Sequence, residues 1–129
     1  MPSPITHFEI HGDRPAALAA FYREVLGWQV EQMPGVEYWR VQTGAEAGPT
    51  QHGGLTYRAL DGVNGWLVYV QVASLDETVA RIERHGGSIV RPRTAVPRTA
   101  WVVIAADPAG NRFGVWEADP QAFPMPEPD

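Results

Sequence analysis

Two stretches of the chain, sixty residues apart, show the same order of residue types, and this repeat constrains the fold more than any other feature. Each stretch opens on an alternating, strand-like run, continues into a helix-like run and ends on a glycine. That glycine is Gly27 in the first copy and Gly87 in the second, and the helix-like runs align without a gap. The chain is therefore predicted to contain two copies of one module.

The helix of each copy is predicted from an apolar stripe. In the first copy, over residues 13–27, the apolar side chains follow the i, i+3, i+4 spacing of an amphipathic helix: Leu18, Phe21, Tyr22, Val25 and Leu26. In the second copy the stripe is Leu75, Val79 and Ile82. Ser74 and Glu77 precede it with the spacing of a capping box, in which the hydroxyl and the carboxylate each satisfy a free backbone amide.

Alternating apolar and polar residues predict strands before and after each helix. The predicted strands cover residues 5–11, 28–33, 37–43 and 51–58 in the first copy, and 66–72, 88–96, 99–105 and 112–117 in the second. A strand, a helix and three strands, repeated once, give an α+β fold of paired βαβββ modules in which each helix covers a mostly antiparallel sheet. The uncovered faces are expected to form a common cleft, where a ligand would bind.

We expect a single domain over residues 1–129. Module 1 is predicted at residues 5–60 and module 2 at 65–118, followed by a proline-rich tail at 119–129. A chain of this length can bury a core without disulfides or metals.

Composition argues against several classes of protein. Cysteine is absent, which excludes disulfides and thiol catalysis. No apolar run approaches the ~18 residues of a membrane span, and the N-terminal residues lack the regions of a signal peptide, so we expect a cytoplasmic protein with no membrane partner. The formal net charge of −5 argues against a nucleic-acid partner.

Several motifs resemble those of the glyoxalase/bleomycin-resistance/extradiol dioxygenase superfamily, also called the vicinal oxygen chelate superfamily. These motifs span residues 5–117 and are His7-Phe8-Glu9-Ile10, Phe21-Tyr22-Arg23-Glu24-Val25-Leu26-Gly27-Trp28, Gly53-Gly54-Leu55, Gly86-Gly87, and Asp107-Pro108-Ala109-Gly110-Asn111-Arg112-Phe113-Gly114. The resemblance implies paired modules that form a cleft, and commonly a homodimer. It implies no particular activity, since this fold supports several chemistries.

The resemblance also bears on metal binding. Metal-dependent members of the superfamily place four ligands on the cleft face, at positions that correspond here to His7, Gly54, Leu67 and Gly114. One ligand out of four cannot hold a divalent ion, because even an open catalytic site usually needs about three protein ligands. We therefore predict no metal and no cofactor, and we expect the two glycines to leave space on the cleft floor.

A displaced metal site is the alternative, built from His7, Glu9 and His52. It is disfavoured because side chains two residues apart on a strand lie ~6–7 Å from each other and rarely converge on one ion.

Strand alternation assigns further side chains to the cleft. If Phe113 and Val115 pack under the helix, Gly114 and Trp116 must face the cleft, and Gly114→Glu should be tolerated there. The predicted ligand-binding lining is His7, Glu9, His52, Thr56, Arg58, Tyr69, Gln71 and Trp116.

His7 and Glu9 are the candidate catalytic residues. The ordinary pKa of a histidine lies near neutrality, which suits an acid or a base. Glu9 is expected to have a partner, either Arg58 or a tyrosine hydroxyl, because a buried charge needs one.

These features predict a member of the superfamily that binds a small organic molecule without the family's metal, with enzymatic activity left open. The first alternative is a metal-dependent glyoxalase-like lyase or isomerase, or a dioxygenase, with shifted ligands. The second is a drug-sequestering protein like the bleomycin-resistance members, which the acidic net charge supports only weakly. A dimerisation module without a ligand is the third.

Overall fold

The structure is a computed structural model that describes residues 2–44, 52–57 and 65–124. The chain divides into two compact units, Ile5–Val68 and Tyr69–Asp129 together with Met1–Pro4. We refer to the described part of the first unit as module 1 and to that of the second as module 2.

Module 1 contains a strand, a helix and three further strands. They are β1 (Ile5–Gly12), α1 (Pro15–Leu26), β2 (Gln29–Gln32), β3 (Tyr38–Gln42) and β4 (His52–Tyr57). The strand order in the sheet is β2-β3-β4-β1. Strands β1 and β4 run parallel, and the other neighbouring pairs run antiparallel.

Module 2 repeats this order. Its elements are β5 (Gly65–Gln71), whose first residues belong to the first unit, α2 (Leu75–Arg84), β6 (Ser88–Val96), β7 (Ala100–Ala106) and β8 (Arg112–Ala118). The strand order is β5-β8-β7-β6, again with one parallel pair, β5 and β8. The predicted α+β fold of βαβββ modules is confirmed.

The strand pairing preserves the sixty-residue offset of the repeat. Glu9 pairs with Gly54 across β1 and β4, and Tyr69 pairs with Gly114 across β5 and β8. Each residue of the second pair is sixty positions after its counterpart in the first. The repeat is therefore present in the hydrogen-bonded register as well as in the order of elements.

The ends of the helices depart from this offset. Helix α1 ends on Gly27, which is left-handed with φ 70°. After α2 the left-handed glycine is Gly86, with φ 91°, rather than the expected Gly87. The amide of Gly87 donates to the Ile82 carbonyl at 2.9 Å. This is the six-to-one hydrogen bond of a Schellman motif, in which the left-handed residue is Gly86.

A hydrophobic core lies between the helix and the sheet in each module. In module 1 its buried members are Phe8, Ile10, Ala19, Val30, Trp39, Val41 and Leu55. In module 2 they are Leu75, Val103, Ala105 and Val115, with Val79, Ile82 and Phe113 among the side chains packed against them. The polar residues that alternate with these core residues therefore lie on the opposite face of each sheet.

The predicted apolar stripe of α1 is only partly buried. Leu18 and Tyr22 pack against the core, but Phe21 is 53% exposed and Val25 is 59% exposed. The small side chain of Ala19 is fully buried, so the helix contacts the sheet along a narrower face than the sequence pattern indicates. The amphipathic pattern therefore predicted the helix, but it does not give the width of the buried face.

The start of the C-terminal tail packs on module 2. The Ala122 side chain is fully buried, and its carbonyl accepts from the Arg98 amide at 2.8 Å. The rest of the predicted tail, from residue 125, lies outside the described residues. Within the described part of the chain, neither helix has the length and apolar character needed to cross a bilayer.

Candidate functional site

The face of the module 1 sheet opposite α1 is polar. Glu9, Gly54, Arg40 and Glu31 lie side by side across β1, β4, β3 and β2, because each pairs directly with the next. Residues paired in this way point to the same face of a sheet. The neighbouring row on the same face consists of Gln29, Gln42 and His52.

A pocket of about 490 Å³ opens on this face. Its lining residues all belong to module 1 and are His7, Gln29, Glu31, Met33, Tyr38, Arg40, Val41, Gln42, His52 and Gly53. The structure thus brings together His7 and His52, both of which were predicted to line a ligand site.

The polar residues of β2 and β3 in this pocket were missed by the sequence analysis. The signal that could have found them is the alternation along β3, where Tyr38, Arg40 and Gln42 are the residues between the buried Trp39 and Val41. The aromatic and branched residues of β3 predict the strand by themselves, whereas Arg40 and Gln42 add no strand signal of their own.

His7 and Tyr38 form a partly buried polar contact in the pocket. The Tyr38 hydroxyl lies 3.4 Å from His7 Nε2, at the long end of a hydrogen bond. Burial lowers the pKa of His7, an effect that the nearby Glu9 carboxylate partly opposes. Burial raises the pKa of Tyr38 strongly, and Glu9 raises it further while Arg40 lowers it. At neutral pH both side chains are therefore uncharged, and the raised pKa suits the Tyr38 hydroxyl to donate a hydrogen bond rather than to act as an acid.

The space expected beside Gly54 and Gly114 is filled by tyrosine rings. A Cβ atom at Gly54 would overlap the hydroxyl and ring of Tyr38, and one at Gly114 would overlap the ring of Tyr69. The prediction of an open cleft floor is therefore wrong, and so is the expectation that Gly114→Glu would be tolerated. Glycine is favoured at both positions, because any larger residue would have to displace the tyrosine ring.

The four positions that correspond to the superfamily's metal ligands do not fit a metal ion. Gly54 and Gly114 supply no side-chain donor and are covered by the tyrosine rings. Leu67 is aliphatic and 1% exposed, which leaves His7 alone with a ligating atom.

A displaced metal site finds no support either. In the described ranges, no group of three or more histidine, cysteine, aspartate or glutamate side chains is placed to hold an ion. The alternative set of His7, Glu9 and His52 is therefore not such a group.

Glu9 contacts His11, a partner that the sequence analysis did not name. His11 Nε2 donates to Glu9 Oε1 at 3.1 Å, and the two side chains are 4% and 17% exposed. His11 Nδ1 has no hydrogen-bond partner among the described residues. The contact holds the Glu9 carboxylate on the polar face, beside the pair of His7 and Tyr38.

The remaining predicted lining residues are distributed over both modules. The Thr56 hydroxyl donates to the Glu37 carbonyl at 2.8 Å, so it holds the chain before β3. Arg58 lies outside the described residues. Tyr69 pairs with Gly114, and Gln71 with Trp116, on adjacent strands of module 2. Their part in ligand binding stays a prediction.

Comparison with known proteins identifies the framework. Residues 8–116 match the family model described as a glyoxalase-like domain. No curated protein matched the sequence.

Solved structures share the fold at low sequence identity. A glyoxalase/bleomycin resistance protein/dioxygenase superfamily member from Vibrio splendidus 12B01 superposes with a TM-score of 0.62 at 13% identity, covering 90% of this chain and 99% of that chain. Methylmalonyl-CoA epimerase from Mycobacterium tuberculosis gives 0.57 at 15% identity, covering 90% and 88%. A structure described as NAD-dependent benzaldehyde dehydrogenase from Legionella pneumophila gives 0.58 at 22% identity, covering 92% and 100%. Likeness at these identities shows the fold alone.

Proposed function

Because this chain belongs to the glyoxalase-like domain family, within the glyoxalase/bleomycin resistance/dioxygenase superfamily, we propose that it binds a small organic molecule in the module 1 pocket, without a metal ion. One observation carries the proposal. The positions of the superfamily's carboxylate ligands are glycines covered by tyrosine rings, while polar side chains converge on a pocket beside one of them.

The pocket offers its ligand several kinds of contact. His7 and the Tyr38 hydroxyl supply polar groups that are uncharged at neutral pH. Arg40 supplies a cation on the same face. Met33 and the Tyr38 ring supply apolar surface within this mostly polar lining.

Elemental analysis of the purified protein tests the absence of a metal. We expect far less than one zinc, nickel, manganese or iron per chain, since His7 is the only one of the four ligand positions with a ligating side chain. About one equivalent of metal, lost in His7→Ala, would contradict the proposal.

A thermal-shift screen of small organic acids, amines and amino acids tests the binding site. Compounds that stabilise the wild type should stabilise His7→Gln and Tyr38→Phe less, because each variant removes a polar contact from the pocket. The control is His85→Gln, which changes an exposed histidine after α2. Stabilisation that is equal in all the variants, or absent throughout the screen, would overturn the pocket assignment.

A further inference from the structure

Two side chains in the pocket lining carry formal charges, one negative and one positive, and their residues lie opposite each other on adjacent strands. Glu31 on β2 and Arg40 on β3 are Cα partners in the antiparallel ladder. Directly opposed residues have Cβ atoms about 4.5–5.5 Å apart, and opposite charges in this arrangement commonly attract each other across the strands.

Glu31 and Arg40 nevertheless form no ion pair or hydrogen bond with another side chain in the described part of the chain. Both residues are exposed, so direct pairing between them would contribute little in water. Each charged group is therefore available to a molecule in the pocket.

Among the lining residues, His7 and Tyr38 are neutral at neutral pH, and Gln29 and Gln42 are neutral amides. The Glu9 carboxylate lies on the same face, separated from Arg40 by Gly54, and contacts His11 at 3.1 Å. A ligand with one negative charge would gain from Arg40 but would be repelled by Glu31 close beside it. A ligand with one positive charge would gain from Glu31 but would be repelled by Arg40. A ligand with both charges gains from both side chains.

We propose that the pocket takes a small zwitterion whose ammonium and carboxylate groups lie a few ångströms apart, as in an α-amino acid. Arg40 binds the carboxylate and Glu31 binds the ammonium group. This inference rests on the proposed function, because it assigns a ligand class to the same pocket.

Three probes with a common benzyl body test the inference: free phenylalanine, which has both charges, 3-phenylpropionate, which lacks the ammonium group, and phenethylamine, which lacks the carboxylate. Binding to the full chain is measured by NMR titration, following the backbone amides of β2 and β3. We expect phenylalanine to bind about three- to fivefold more tightly than either singly charged probe, since each added contact is with an exposed charge.

Two variants separate the contributions of the charges. In Glu31→Gln, the advantage of phenylalanine over 3-phenylpropionate should fall to about one, because the contact with the ammonium group is lost. In Arg40→Gln, phenylalanine should bind no more tightly than phenethylamine, because the contact with the carboxylate is lost. The matched controls are Glu77→Gln and Arg81→Gln, which neutralise an exposed i, i+4 pair on α2 and should leave all three affinities unchanged.

The inference is overturned if a singly charged probe binds as tightly as phenylalanine, if no probe binds, or if the affinity ratios survive in Glu31→Gln and Arg40→Gln. Failure of the proposed function has a different signature. If 3-phenylpropionate binds as tightly as phenylalanine and its binding depends on His7, the pocket is a ligand site and only the zwitterion assignment is wrong. If no compound of the thermal-shift screen depends on His7 or Tyr38, the pocket assignment itself is wrong.

Discussion

At the residue scale, a missing Cβ atom decides where an aromatic ring can lie. Gly54 pairs with Glu9 on one side and with Arg40 on the other, and the Tyr38 ring covers it. The ring therefore lies over the middle of the polar face, where its hydroxyl reaches His7. A side chain at Gly54 would displace the ring and remove this contact.

We expect Gly54→Ala to lower the free energy of unfolding by about 1–3 kcal/mol, because the added methyl group overlaps the Tyr38 ring and hydroxyl. In a Tyr38→Leu background the same substitution should cost less, since the obstructing ring is gone. Urea denaturation of the four proteins measures the difference, and Gly114→Ala with Tyr69→Leu is the matched cycle in module 2. An equal cost in both backgrounds would show that the ring does not occupy this space.

A second residue-scale prediction concerns the pH dependence of stability. Burial lowers the pKa of His7 from the ordinary 6.5, so below that pH the unfolded chain binds more protons at this residue than the native state does. The contribution of neutral His7 to the free energy of unfolding is fully present above pH 6.5. It is lost as the pH falls through the pKa that His7 has in the folded state. In His7→Gln, the free energy of unfolding should therefore fall less steeply below pH 6.5 than in the wild type.

Denaturant titrations between neutral and mildly acidic pH provide the comparison. His85→Gln controls for the removal of an exposed histidine. If the slopes for His7→Gln and the wild type coincide, the native environment of His7 does not disfavour its protonated form.

At the element scale, the first turn of α2 is held by two side chains from different parts of the chain. The Ser74 hydroxyl accepts from the Glu77 amide at 3.2 Å, which confirms one half of the predicted capping box. The other half is wrong, because the Glu77 carboxylate lies 3.7 Å from Arg81 instead. The Leu75 amide donates to Glu117 Oε1 at 2.8 Å, so a carboxylate from β8 anchors the helix to its sheet.

We expect Glu117→Ala to lower the free energy of unfolding by about 1–3 kcal/mol, because it leaves an amide of a fully buried residue without its acceptor. Glu117→Gln retains an acceptor oxygen and should cost less. Glu77→Ala removes only an exposed ion pair and should change stability by less than about 1 kcal/mol. Thermal unfolding ranks the three variants, and an equal loss for Glu77→Ala and Glu117→Ala would contradict the role of Glu117.

At the scale of the whole molecule, the two copies of the repeat have the same order of elements, but the tyrosine rings over their glycines come from different strands. Both place a tyrosine ring over the glycine that corresponds to a superfamily ligand position. In module 1 that ring belongs to β3 and borders the polar pocket, whereas in module 2 it belongs to β5 and pairs directly with its glycine. The ring that borders the module 1 pocket therefore comes from a different position of the repeat than the ring over Gly114. A cleft shared by the two modules stays a prediction, as does the cytoplasmic location.

We predict that the protein is a homodimer, from its superfamily resemblance and from the exposed apolar side chains of α1, such as Phe21 and Val25. Sedimentation at micromolar concentration should give about twice the mass of one chain. A single species with the mass of the monomer would contradict this prediction.

The sequence by itself determined the order of the elements, most of their bounds and the inner face of each sheet. Strand β6 begins and ends at the predicted residues, and Phe8 and Ile10 face the core while His7 and Glu9 face the other way. These features follow from periodicity within a short stretch of chain, which the sequence displays directly. The predicted N-cap contact of Ser74 with the Glu77 amide likewise joins residues that are close in the sequence.

Only the tertiary structure decided which residues meet across the sheet. Tyr38 lies over Gly54, Glu31 lies opposite Arg40, and Glu117 binds the Leu75 amide, and each contact joins separate elements. The period of two in a strand specifies the face of a side chain, but it leaves the register against the next strand open. The composition of the pocket depends on that register, so residues recognised one strand at a time could not reveal it.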